Sequence, residues 1–355
     1  MKKIISLILG CILLFSSLVA FTSCKDHSQS NNTEQTNTDD AHLSQESDTQ
    51  AQKPENDSDA KTENTILEYI LLSDGTYGVS KLLDTTLAEI TIPESYNGKA
   101  VTKIMSGAFK SASKLESVTI LSSIKKIEKG AFSGCSSLKD ITLPFIGATA
   151  STLEPFGYIF GQTSYLGAQK VLQYVTISDG LFNSQTFYIP SSLEKVTVTQ
   201  GVIQEYSFQE CTMIKEMTFG DGVTEIKTAA LVLCDGLETV SMGKSITEIS
   251  DECFAYLTNL KNVSIGENVT KIGYAAFDDC TSLKSIVIPK KVVVIERYAF
   301  DDCTAMESII FEQTTGWYRD YGNVSGTGMN VTDPSVNVDN LTNDRKYSTD
   351  RWKRR

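Results

Sequence analysis

Histidine is nearly absent from this 355-residue chain, and its only two copies, His27 and His42, both fall near the start. From residue 66 onward none is available to activate a serine or cysteine or to ligate zinc or iron, which excludes Ser–His–Asp and Cys–His catalysis there. The eight cysteines show no Cys-x-x-Cys spacing, so a zinc ribbon is excluded too. Basic excess is missing: 32 Lys and Arg stand against 44 Asp and Glu, a net charge of −12. No basic face can displace counterions from phosphates, so nucleic acid is not an expected partner. Between residues 25 and 65 large apolar side chains are missing as well, Leu43 excepted. Such a tract cannot bury enough surface to offset its ordering entropy. It predicts a disordered tether over 24–65, with a mean reach of roughly 35 Å for about forty residues; a plain spacer without a binding role is the simpler reading.

What is present begins with a leader. Lys2 and Lys3 precede the apolar run Ile4–Phe21 and then "TSCKD", the pattern of a secretory signal over 1–23. "FTSC" (Phe21–Cys24) resembles a bacterial lipobox, although Phe21 stands where leucine is usual. The resemblance implies a diacylglycerol on Cys24 and a protein exported and lipid-anchored to a bacterial membrane or cell surface. "ILGC" (Ile8–Cys11) also fits, but ten mostly apolar residues follow it; a plain secretory peptide or an uncleaved membrane helix are the alternatives.

The rest of the chain repeats itself. Phe109, Phe132, Phe208, Leu231, Phe254, Phe277 and Phe300 head equivalent units, and except for the gap before Phe208 every step is 23 residues. In one unit the apolar positions are Val269, Ile272, Ala276, Phe277, Cys280, Leu283, Ile286 and Ile288, and the next matches them from Val292 to Phe311. "LKSIVI" alternates as a strand with one buried face, and the three-residue spacing of Phe277, Cys280 and Leu283 suits a short helical or 3-10 turn. One unit alone buries too little to offset its ordering, so units must stack. The expected fold is a β-rich repeat solenoid of leucine-rich-repeat type with a parallel strand ladder. On its outward face Glu116, Lys139, Glu194, Lys215, Glu238, Lys261, Lys284 and Glu307 nearly alternate in sign. A second outward column, Thr119, Thr142, Thr197, Thr218, Ser241, Ser264, Val287 and Ile310, is hydroxyl-lined and turns apolar at one end. That face is either a ligand surface or simply a solvated sheet.

"AFxxC", the following "LxxIxIP" and the 23-residue period resemble the BspA-type leucine-rich repeats of bacterial surface antigens. The resemblance implies an exported protein, in some members an adhesin or host-protein binder. It places an N-terminal cap with a hairpin at 66–104, the solenoid at 105–312 and a C-terminal cap or tail at 313–355. Trp317, Tyr318, Tyr321 and Trp352 are the candidate lid of the last open edge, and Lys353–Arg355 a solvated tail or a contact for an acidic wall polymer.

The pattern breaks at 144–190, an aromatic-rich insertion in which "YVTISDG" and "EKVTVTQG" still read as ladder strands of wider coils. Phe156, Tyr158, Phe160 and Tyr165 are its candidate ligand contacts, unless these rings pack under the enlarged loop. Cys135, Cys211, Cys234, Cys280 and Cys303 share one frame, which Cys253 does not, and read as small buried hydrophobes rather than disulfides. Asp278, Asp279, Asp301 and Asp302 stack two carboxylates on two; calcium would relieve the repulsion, but acidic residues also favour a helical-turn start. The set describes a non-catalytic, membrane-anchored binder of a protein or glycan. The alternative is a scaffold or glycan-associated envelope component that supports a neighbouring protein.

Overall fold

The computed structural model describes residues 66–176, 182–320, 325–342 and 350–355. The leader, Cys24, the tether and Tyr321 lie outside the described residues.

Strict alternation builds the main sheet. In Ser285–Ile288 the two isoleucines are buried while Ser285 and Val287 are exposed. Seven such strands, Glu89–Ile92, Ser117–Ile120, Asp140–Leu143, Lys195–Ile203, Glu216–Ile226, Thr239–Met242 and Asn262–Ser264, pair in parallel in that spatial order. Ser285–Ile288 and Ser308–Phe311 follow as a separate parallel pair. Register partners such as Ser117 and Asp140, or Thr239 and Asn262, are one 23-residue period apart. A second ladder of short strands, Glu248–Ile249, Lys271–Ile272 and Val294–Ile295, pairs in the same sense. The chain is a leucine-rich-repeat β-solenoid with little helix.

The repeated aromatics form one column. Phe254, Phe277 and Phe300 are each no more than 1% exposed, and their rings follow one another at 5.3 Å and near-parallel planes. Phe109 and Phe132 stack the same way at 4.8 Å.

The turns differ from regular 3-10 helix in an instructive way. Successive three-residue turns do occur, since the Cys280 amide donates to Phe277 and the Leu283 amide to Cys280. Two residues per coil, however, are left-handed, placed two before and two after the column aromatic. Ala275 and Asp279 flank Phe277 with φ of 49° and 57°, Ala229 and Leu233 flank Leu231, and Tyr298 and Asp302 flank Phe300. Alternating the hand of the backbone turns its N–H groups to one side. Ala275, Phe277 and Asp279 accordingly donate to Arg297, Ala299 and Asp301 of the next coil at 2.8–3.0 Å. Hydrogen bonds between coils thus offset a conformation that costs about 1 kcal/mol per non-glycine residue. Ala229→Gly should therefore raise stability by about 0.5 kcal/mol, since the relief exceeds the added unfolded-state entropy. A lower denaturation midpoint for that variant would contradict this account.

The front sheet parts between Asn262–Ser264 and Ser285–Ile288, where the two strands do not pair. The break falls where a stack of glycine corners ends. A Cβ on Gly243 would meet the Gly220 carbonyl at 2.4 Å, and one on Gly266 would meet the Gly243 carbonyl at 2.4 Å. The next corner in that frame is Pro289.

The long gap in the repeat is a single wide coil. Lys195 pairs directly with Asp140, 55 residues earlier. "EKVTVTQG" supplies that ladder strand, as its pattern predicts. "YVTISDG" does not: its described part lies in Ala168–Thr176, which pairs antiparallel with Phe182–Pro190 as a hairpin. Its alternation is that of a strand, but its partner is local. The coil keeps its place in the column through Ile159, whose carbonyl accepts from Phe132, and through Phe160.

At the N-terminal end Leu67–Leu71 and Tyr77–Leu82 form an antiparallel hairpin. At the other end Arg351–Arg354 pairs antiparallel with both Val294–Ile295 and Trp317–Asp320. A helix, Pro334–Leu341, starts from an Asp333 cap with proline in its first turn. Asn337 in that helix donates to the Ile309 carbonyl at 2.9 Å. Trp317 and Trp352 are buried beside Phe311.

Candidate functional site

The outward side of the front sheet is ordered in columns because parallel in-register pairing sets identical frames side by side. Thr91, Thr119, Thr142, Thr197, Thr218, Ser241 and Ser264 are register partners in one continuous row. After the break the same column continues as Val287 and Ile310, 45% and 43% exposed. Beside it runs the alternating charge column. Lys139 reaches Glu116 at 2.8 Å, Lys215 reaches Glu194 at 2.5 Å and Lys261 reaches Glu238 at 2.8 Å. Pairs this exposed add little stability. Their effect is to neutralise the face, which presents hydroxyls and internally matched charges instead of one sign.

The four aromatic candidates in the wide coil separate into two kinds. Phe156 and Phe160 are fully buried, packed edge-on to each other at 5.3 Å, with Phe156 at 4.9 Å from Phe208. They bridge the Phe column across the insertion, and a ligand cannot reach them without opening the coil; the expectation that they are contacts is corrected on that ground. Tyr158 and Tyr165 are half-buried, and burial raises the pKa of both phenols. The outermost apolar side chain here is Leu166, 97% exposed, with Leu153 and Leu172 also exposed. Attention to aromatic rings passed over it; its place between Tyr165 and Gly167, a left-handed residue at φ 87°, is the sequence signal for a projecting turn.

The wide coil is fastened by Gln173, which is fully buried. Its Oε1 accepts from the Gly157 amide at 2.8 Å, and its Nε2 donates to the Gln209 carbonyl at 3.2 Å. No sequence rule singles out a lone glutamine in a hairpin strand as a core residue.

Of the acidic set, Asp278, Asp301 and Asp302 bring one carboxylate oxygen each within 4.8 Å of one another; Asp279 is not in that group. Asp279 and Asp302 occupy left-handed positions, which aspartate tolerates better than most residues, so half of the set has a backbone reason to be acidic.

The six cysteines of the described residues are buried and free. Cys135, Cys234, Cys280 and Cys303 each donate to the carbonyl of a column residue 26 positions earlier, at 3.0–3.2 Å. Burial pushes the Cys135 thiol up to about 12 and raises those of Cys211, Cys234 and Cys280 as well. These six thiols should resist iodoacetamide in the native protein at pH 8 and all react once it is denatured; labelling of native Cys280 or Cys303 in a peptide map would contradict the packing.

A family model for the BspA type leucine-rich repeat region matches six copies over residues 82–162 and 175–312. The chain belongs to the BspA-type leucine-rich repeat family. Repeats of this family are generally non-catalytic binding scaffolds. No match was found among curated proteins. Among solved structures the chain is similar to a leucine-rich repeat protein of T. pallidum, at 16% identity over 70% of this chain and 91% of that one, with a TM-score of 0.35. It is also similar to a leucine rich cell surface protein from Faecalibacterium prausnitzii, at 18% identity over 73% and 96%, TM-score 0.25. A further similarity is to the pneumococcal vaccine antigen PcpA, at 17% identity over 71% and 87%, TM-score 0.29. Within this BspA-type array the Gln173-fastened wide coil interrupts the regular repeat, and the hydroxyl column runs along its front sheet.

Proposed function

We propose that this protein is a non-catalytic binding protein of the bacterial cell surface, anchored through a lipid on Cys24 and recognising a protein or glycan through the front face of its solenoid. The observation that carries this reading is the in-register row of seven hydroxyls, Thr91 to Ser264, flanked by charges already paired among themselves. A surface of this kind can bind without the cost of stranding an unpaired charge. Tyr158, Tyr165 and Leu166 on the wide coil offer a second, more apolar surface.

The test has two arms. A glycan array and a pulldown from host extracellular proteins, both with the full chain, should give a specific hit that weakens at least tenfold when Thr197 and Thr218 are replaced by lysine. Silence in both arms favours the scaffold role. In parallel, Cys24→Ser should move the protein from the membrane fraction to the soluble one; retention on the membrane sinks the lipid anchor.

A further inference from the structure

Beside the parting of the front sheet a cleft of about 220 Å³ is lined by Thr239–Ser241, Asn262–Ser264 and Ser285–Val287. Its rim carries Ser241, Asn262, Ser264 and Ser285, and no charged side chain lines it. None of these four side chains has a hydrogen-bond partner among the described residues. The floor is apolar, made by Val263, and Val287 stands exposed on one wall. Elsewhere in the front sheet the residues equivalent to Val263, such as Val240 and Ile286, are fully covered, whereas Val263 is half-exposed.

An inserted β-strand does not fit. Cα atoms of the two strands approach within 8 Å, and a strand between them needs about 9.6 Å. An anionic ligand finds no cation here, and a wholly apolar one would bury four hydroxyl or amide groups without partners. What remains is a small neutral ligand with hydroxyls around its edge and C–H groups on its faces. We propose that the cleft is a subsite for one neutral sugar ring, held by Asn262, Ser264 and Ser285 at its edge and resting on Val263 and Val287. The proposal rests on the binding reading above and gives it a place and a ligand class.

A single ring of about twelve heavy atoms is expected to bind in the millimolar range. Saturation-transfer NMR with the full chain and about 10 mM each of glucose, galactose, mannose and N-acetylglucosamine reads that regime. At least one of them should receive transfer, while glucuronate should not. Filling the cleft with Ser264→Tyr or Ser285→Tyr should cut the signal at least fivefold. Lys114→Tyr, an exposed position outside the hydroxyl row and the cleft, should leave it unchanged, and unfolding midpoints of all three variants should match the parent. No transfer to any neutral sugar overturns the proposal, as does a signal that Lys114→Tyr lowers as much as the cleft variants do. A larger ligand found on the array whose binding survives Ser264→Tyr overturns the cleft alone and leaves the front-face reading standing.

Discussion

Alanine in place of Trp352 should lower stability by about 4 kcal/mol and turn a soluble solenoid into an aggregating one. The indole is fully buried and lies nearly parallel to Phe311 at 6.3 Å. Its strand, Arg351–Arg354, is the antiparallel partner that covers Val294–Ile295, the last rung of the second ladder. Two ion pairs hold the strand from either side, Arg351 to Glu296 and Lys353 to Asp320, both at 2.6 Å. Cutting the indole to a methyl removes the packing that the ion pairs only orient. The last coil then presents an unpaired parallel edge, the kind of surface on which another chain can add. For a domain of this size about 4 kcal/mol corresponds to a melting-point drop on the order of 10 °C. Thermal unfolding followed by sedimentation checks both parts. A drop below 2 °C with a monomeric variant would mean that Pro334–Leu341 and Trp317 cover the edge without it.

The stack of coils was legible because each position answers to one packing environment repeated every 23 residues, so that Phe254, Phe277 and Phe300 report the same column. The alternating charges were legible for the same reason: Glu194 and Lys215 can alternate along a ladder only if they lie side by side in it. The left-handed pairs were not, since glycine marks the position only in the first two coils, at Gly107, Gly130 and Gly134, and later coils put Glu252, Tyr256 or Tyr298 there. The hydrogen bonds that stabilise those residues run to the next coil, so nothing within 23 residues betrays them. The wide coil hid its frame too, because Ile159–Phe160 follows Phe132 by 28 residues and sits in a 3-10 turn, outside the period. Of the candidate contacts, Phe156 and Phe160 are fully buried while Tyr158 and Tyr165 are only half-buried: a ring without a polar tip is the cheaper one to bury.

The largest effect expected inside the array belongs to Gly157. A Cβ there would fall 2.5 Å from the Phe187 Cβ and 2.7 Å from the Gln173 Oε1. Alanine must therefore push the hairpin Ala168–Thr176 and Phe182–Pro190 outward, breaking the Gln173 bonds to Gly157 and Gln209 as it goes. Each buried polar group left without a partner costs about 1–3 kcal/mol, so a loss of about 4 kcal/mol is expected, with overpacking strain included. Gln173→Leu should cost a similar amount by the second route alone, leaving the Gly157 amide and the Gln209 carbonyl unsatisfied. Hydrogen exchange localises the damage: amides of the hairpin should lose protection first, while Glu216–Ile226 and Thr239–Met242 keep theirs. That separation makes the pair of variants a functional instrument as well. The front-sheet strands on both sides of the wide coil remain paired through Lys195 and Asp140, so a ligand held by the hydroxyl row should still bind. If binding instead falls with the hairpin, Tyr158, Tyr165 and Leu166 are the contacts, and the threonine row is only the solvated back of a sheet.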